Sequence, residues 1–184
     1  MPFAVWMTGL PGSGKSTIAK ELLNQLDNTE YLRLDAIRKK YVQQPKFTDE
    51  ERELVYSKFA EEGAELIKQG KNVLFDATAY RRIWRDNARS QIKDFLEVYV
   101  KCPIEKCAER EGSRGEGLVM ADMYRKALER QRTGKQFEGL GSVVGIDVPF
   151  EENSDVEMII DSDKISPKEA AKAVLDQLKK KGWI

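Results

Sequence analysis

Gly9, Gly14, Lys15 and Ser16 satisfy the spacing G-x-x-x-x-G-K-[ST] within GLPGSGKST. Each residue type has a task in holding phosphate. The glycines let the backbone wrap phosphate oxygens with its N–H groups pointing inward. Lys15 reaches the β- and γ-phosphates of a nucleotide, and the Ser16 hydroxyl ligates Mg²⁺. A helix beginning at Lys15 adds its positive end. Gly9, Leu10, Pro11, Gly12, Ser13, Gly14, Lys15, Ser16 and Thr17 are therefore expected to bind ATP.

Two carboxylates follow apolar runs of strand length. Asp35 comes directly after EYLRL, and Asp76 closes NVLFD. In open α/β sheets ligands bind beyond the carboxyl ends of the strands, so both are expected near the γ-phosphate. Phosphoryl transfer needs Mg²⁺ held in place and an acceptor hydroxyl oriented or deprotonated. Asp35, with Lys15, is the expected catalytic pair. Asp76 suits either Mg²⁺, beside Ser16, or the acceptor, and the sequence leaves that open. The plainer alternative for each aspartate is a helix N-cap. Arg38 and Arg52 offer guanidinium forks for an anionic acceptor. Arg81, Arg85 and Arg89 recur at i, i+4, i+8, which reads as a solvated helix face. Arg110, Arg114, Arg125, Lys126, Arg130, Arg132 and Lys135 lead into a glycine-rich stretch with glycines at 134, 139, 141 and 145. Cations followed by hinges suit a lid over ATP spanning about 111–145, with Arg110 among its contacts. The shift from basic 101–135 to acidic 136–161, with those glycines around the boundary, reads as a mobile flap rather than a domain junction.

The elements that must position these groups alternate. FAVWM, EYLRL, NVLFDAT, FLEVYVKC and VEMIID read as strands, and helical patterns fall between them. Thr48 and Glu51 form a T-x-x-E capping box at the head of a long helix that Gly70 ends. Pro103 suits the first turn of a helix running to about Arg110. Ser166, Pro167 and Glu169 open the closing helix. Alternation of this kind implies a parallel sheet with helices on both faces, in a single domain over residues 1–184.

Composition narrows the function. Lys+Arg and Asp+Glu both total 31. The chain therefore has no global charge bias toward nucleic acid or anionic membrane. No apolar run approaches the roughly 20 residues needed to span a bilayer, and the N-terminus reads as a buried first strand rather than a signal peptide. The absence of histidine excludes Ser-His-Asp catalysis and His-ligated metals. Cys102 and Cys107 are not spaced as CxxC and read as ordinary thiols of a cytoplasmic protein.

The segments GLPGSGKSTIAKEL, DAIR, FTDEERE, AYRRIWRDNAR, EVYVKCPIEKCAER and GIDVPFEE fall in the order seen in adenylylsulfate kinases, which the chain resembles over most of residues 3–161. The resemblance implies a three-layer P-loop kinase fold with a parallel sheet of about five strands. It also implies a cytosolic, Mg²⁺-requiring and often dimeric enzyme. Such enzymes use ATP to phosphorylate the 3′-hydroxyl of adenosine 5′-phosphosulfate (APS). Carried over by residue, Asp35 matches the second aspartate of the family's D-G-D, Arg38 the arginine after it, and Phe47 and Arg52 the ends of F-S-x-x-D-R. These are the expected acceptor-binding residues, together with Asp76. The chain departs from the family on the acceptor side. Arg33 and Leu34 replace the first two residues of D-G-D, and Val55 replaces an asparagine. The family's F-I-S-P reads DATA, so Asp76 stands in place of an aromatic, and K-N-F-T reads GSVV. Tyr80 or Phe137 is the expected replacement ring. DAT after an apolar strand is similar instead to other P-loop kinases, including polynucleotide 5′-kinase-like domains. Two alternatives stay open, a kinase for another nucleotide-like or phosphorylated small molecule and a non-catalytic nucleotide switch.

Overall fold

A computed structural model describes residues 1–113 and 122–184. Five strands, β1 (Ala4–Thr8), β2 (Thr29–Arg33), β3 (Asn72–Asp76), β4 (Phe95–Lys101) and β5 (Met158–Asp161), form one parallel sheet in the order β2-β3-β1-β4-β5. The continuous apolar runs are central because both faces of the sheet are covered. Alternate residues sort between two cores. Ala4, Trp6, Val73 and Phe75 pack under α2 (Leu34–Tyr41), α3 (Asp49–Lys68) and α4 (Arg82–Gln91). Val5, Met7, Leu74, Leu96 and Val98 pack under α1 (Lys15–Leu23) and α7 (Pro167–Lys180). Two further helices, α5 (Ile104–Gly112) and α6 (Met123–Thr133), flank the loop that follows β1. The strand order reverses at β1, so that loop lies at a topological switch point, where ligands bind in sheets of this kind.

Several boundaries differ from the sequence expectation. Asp35 does not end a strand. β2 stops at Arg33, and Asp35 lies in the first turn of α2. Pro103 is the N-cap of α5 rather than a residue of its first turn, and the helix runs on to Gly112. The α3 capping box is half formed. Thr48 accepts from the Glu51 N–H at 3.3 Å, but the Glu51 carboxylate turns to the N–H groups of Lys46 (2.6 Å) and Phe47 (2.9 Å) and to Arg38. The α7 capping box forms in full, with Pro167 at its first turn.

Of the arginine stripe, Arg85 and Arg89 on α4 do not lie on a solvated face, whereas Arg81 is the half-buried N-cap before it and pairs with the exposed Asp49 and Glu53. Arg85 is 0% exposed, and its Nε lies 2.9 Å from Oε1 of Glu97, itself 1% exposed. Arg85 also donates to the carbonyls of Ala79 and Glu151. Arg89 pairs with Glu157 and Glu97, and Asn153 donates to Glu97 at 2.9 Å. Glu97 lies on β4, and the other partners arrive on the irregular stretch between α6 and β5, which packs over α4 and β4. That stretch, expected as a flap, is fastened at its other end by Arg130. Arg130 donates to the carbonyls of Leu140 (3.0 Å) and Gly141 (3.1 Å) and to Asp147 (2.6 Å). Of the expected lid, residues 114–121, including Arg114, lie outside the described residues.

Candidate active site

The loop between β1 and α1 needs its glycines for space as well as for conformation. Gly9 (φ +137°) lies so close to β4 that a Cβ would sit 2.4 Å from the Val100 carbonyl oxygen. At Gly12 (φ +83°) a Cβ would sit 2.3 Å from the Cys107 carbonyl oxygen. Gly14, in the left-handed region, is the N-cap of α1. Lys15 Nζ donates back to the carbonyls of Gly9 (2.9 Å) and Leu10 (2.8 Å), which brings the ammonium over its own loop. The loop is fixed from outside by the Tyr124 hydroxyl, donating to the Pro11 carbonyl at 2.7 Å, and the Ser162 hydroxyl, donating to the Ser13 carbonyl at 2.6 Å. Arg110 bonds Ser162 through its hydroxyl (3.3 Å) and carbonyl (2.9 Å), and so stands beside the start of α1. Cys102 and Cys107 are free and buried behind the loop. Burial, then the neighbouring Cys102, pushes the Cys107 thiol up to about 12, which keeps it an unreactive packing residue.

A cavity of about 430 Å³ opens from this loop. Its wall includes Lys15, Ser16, Asp35, Arg38, Phe47, Arg52, Asp76 and Tyr80, and residues 139–144 close one side. The expected acceptor residues thus converge, although they come from α2, α3, β3 and two loops. Neither aspartate is an N-cap. Arg33 caps α2, Arg81 caps α4, and Asp76 is the last residue of β3. Burial raises the Asp35 carboxyl above its ordinary value. Arg33, Arg38 and Lys15 oppose the shift and Asp76 adds to it. Asp76 is 7% exposed and accepts a hydrogen bond from the Tyr31 hydroxyl at 2.7 Å.

Arg38 pairs with Glu51 and stacks 4.8 Å from the centre of the Phe47 ring, and its buried Nε has no hydrogen-bond partner among the described residues. Phe47 holds a positive φ of 56°, a costly conformation for an aromatic residue. The Glu51 carboxylate that binds its N–H supports it there. Arg52 donates to the Tyr80 hydroxyl (2.8 Å) and the Ser142 carbonyl (3.2 Å). Of the two expected replacement rings, Tyr80 lines the cavity, as Phe47 and Tyr56 also do. Phe137 is not among the cavity residues and sits by Lys135. The loop below Tyr80 is pinned at Ala79 (φ +43°), whose N–H donates to the Tyr56 hydroxyl at 2.8 Å and whose carbonyl accepts from Arg85.

Tyr31 and Tyr56 were not singled out by sequence, and Glu51 and Arg85 were read only as a capping residue and as part of a helix face. Glu51 carried a signal in its T-x-x-E spacing. The other three act across 23 residues or more of chain, or through loop carbonyls that no local pattern marks.

The donors available to a cation are Ser16 and the carboxylates. Among the described residues no cluster of three or more His, Cys, Asp or Glu could hold a metal. A cation here takes most of its shell from phosphate and water, which is how Mg²⁺ binds with nucleotides, so these residues fit it.

Comparison with known proteins agrees with this geometry. The sequence model of the adenylylsulphate kinase family matches residues 1–161. A probable adenylyl-sulfate kinase of Archaeoglobus fulgidus is 30% identical over 168 residues, covering 89% of this chain and 98% of that protein. The adenylyl-sulfate kinase of Thermodesulfovibrio yellowstonii is 32% identical over 185 residues, covering 97% and 84%. The Mycobacterium tuberculosis APS kinase CysC, solved in complex with AMPPNP and APS, superposes with a TM-score of 0.76 at 26% identity, covering 97% of this chain and 98% of that one. On sequence and fold together, the chain belongs to the adenylylsulphate kinase family and is an enzyme of the phosphotransferase class.

Proposed function

We propose that this enzyme transfers the γ-phosphoryl group of ATP to the 3′-hydroxyl of APS. The observation that carries the reading is the single cavity that joins Lys15 and Ser16 to Asp35, Arg38 and Arg52. A nucleotide held by residues 9–17 presents its γ-phosphate to that cavity, with Arg110 on the outer side of the loop. Arg38 and Arg52 hold the anionic end of the acceptor, and Phe47 and Tyr80 give its base an aromatic surface. The acceptor oxygen forms its bond to the γ-phosphorus as the bond to the β,γ-bridging oxygen breaks. ADP leaves, and the hydroxyl proton passes to Asp35. Lys15 stabilises the charge that moves onto the phosphate oxygens. Ser16 and Asp76 would hold Mg²⁺, which supplies charge neutralisation at the phosphates when bound.

A cytosolic location and a homodimer belong to the same reading. The described residues include no helix long and apolar enough to cross a membrane. The test is an acceptor panel of APS, AMP, gluconate and a 5′-hydroxyl oligonucleotide, with ADP release measured against a no-acceptor control. APS is expected to stimulate release most. A larger stimulation by another member would move the assignment to that acceptor. Equal release with and without every member would remove the kinase reading.

A further inference from the structure

The ends of β2 and β3 carry a contact that the transfer chemistry does not itself require. In the β2–β3 ladder Tyr31 pairs with Leu74 and Arg33 with Asp76. Residues two apart share a face of the sheet, so Asp76 is the diagonal neighbour of Tyr31 on the face that packs against α1. The Tyr31 ring packs on that core, and its hydroxyl reaches Asp76 Oδ2 at 2.7 Å. The Ser16 hydroxyl, one residue into α1, interacts with the same phenol oxygen. One phenol therefore bonds Asp76 and stands near Ser16, the two oxygen donors that share the cavity wall, and it leaves the second carboxylate oxygen of Asp76 unclaimed by it. The register adds an independent observation. Arg33 stands where the D-G-D pattern has its first aspartate, and Asp76 is its partner across the ladder. The carboxylate missing from the end of β2 is present one strand over, at the end of β3.

We propose that Tyr31 is a positioning residue, whose hydroxyl holds the Asp76 carboxylate beside the Ser16 hydroxyl so that the pair receives the metal-bound phosphates together. The half-buried ring packs on the core and has few rotamers to lose, so it fixes the carboxylate more tightly than a flexible donor would. A purely structural phenol would only satisfy a buried carboxylate, and its loss would act on stability and not on metal dependence.

This inference rests on the proposed reading only in placing a magnesium nucleotide in the loop, so its test contains no acceptor. AMPPNP binding to the full chain is measured by calorimetry over a Mg²⁺ series and in EDTA, for wild type, Tyr31→Phe, Asp76→Asn and the double variant. Tyr31→Phe removes one oxygen and keeps the ring. The Mg²⁺ concentration for half-maximal binding is expected to rise roughly tenfold, the usual scale for a residue that orients a metal ligand. Binding in EDTA should stay within about twofold. The double variant should need no more Mg²⁺ than Asp76→Asn alone, because the two residues act as one unit. Equal weakening with and without Mg²⁺, unchanged Mg²⁺ dependence, additive losses, or a fall in Tm of several degrees would each overturn the proposal. Normal magnesium-dependent binding without APS phosphorylation would leave it standing and remove only the acceptor.

Discussion

Asp35 is held in a position that costs the empty protein stability. Burial raises its carboxyl above the ordinary value. The folded state therefore binds that proton more readily than the unfolded chain. The stability linked to it is present below the ordinary carboxylate range and is lost as pH rises through the shifted value. At neutral pH the ionised group works against the fold, which is how a group poised to take a proton is often built. Asp35→Asn is expected to raise the Tm of the ligand-free protein at pH 7–8, and the gain should vanish near pH ~4. Turnover should fall by about 10²–10⁴-fold, with AMPPNP affinity unchanged. Calorimetry at the two pH values, paired with steady-state kinetics, checks both halves, and a lower Tm at pH 8 would contradict the account. Lys15 differs, since its ammonium already lies over the loop carbonyls and it lines the cavity. Lys15→Ala is expected to lower kcat by roughly 10²-fold or more with little change in Tm. Near-normal turnover would remove Lys15 from the chemistry.

At the scale of elements, the α4 arginines do the work of a clamp. Arg85 ties the loop after β3 to the stretch before β5, and its charge is matched by Glu97 on β4. Removing one partner of a buried pair leaves the other uncompensated. Arg85→Ala is expected to cost about 3–5 kcal/mol, a Tm fall on the order of 10 °C for a chain of this size. Ala79 should be released as well, so Tyr80 and Arg52 should lose their fixed geometry and the KM for the acceptor should rise. Thermal unfolding and kinetics on the surviving fraction test this. A loss below about 1 kcal/mol would mean that the pair is replaceable. Periodicity placed the three arginines on one face of a helix but could not say what covers that face. The cover is an irregular stretch more than 60 residues away in sequence. The α3 cap shows the same limit. Its spacing was legible, but the Glu51 carboxylate had stronger claims on it from Arg38 and the strained turn at Phe47. α2 was missed because β2 passes into it directly, with Arg33 as a cap that makes no side-chain bond.

The whole molecule is an adenylylsulphate-kinase-family sheet with a cavity at its switch point, and the loop between β1 and α1 that borders it was legible in the sequence. The signal there is local, since Gly9 to Thr17 are contiguous and their spacing is dictated by the size of a phosphate. The acceptor side is assembled from residues far apart in the chain, with Tyr31 and Asp76 45 positions apart and Arg52 and Ser142 90 apart. Only strand register brings Arg33 and Asp76 together. The departures from the family pattern at 33 and 76 thus looked like separate losses in sequence and are neighbours in the fold. They also bear directly on the proposed acceptor, since Asp76 puts a carboxylate in the wall that receives an anion on that reading, offset by Arg33, Arg38 and Arg52. The central claim is that the phosphate goes from ATP to the 3′-hydroxyl of APS, and product analysis tests it most directly. The enzyme is incubated with ATP, Mg²⁺ and APS, and the products are separated and located by phosphorus NMR. The account predicts one ADP for each 3′-phosphorylated APS, with neither formed by Asp35→Asn at a comparable rate. ADP formed without a phosphorylated APS, or no product from a chain shown to bind AMPPNP, would contradict it.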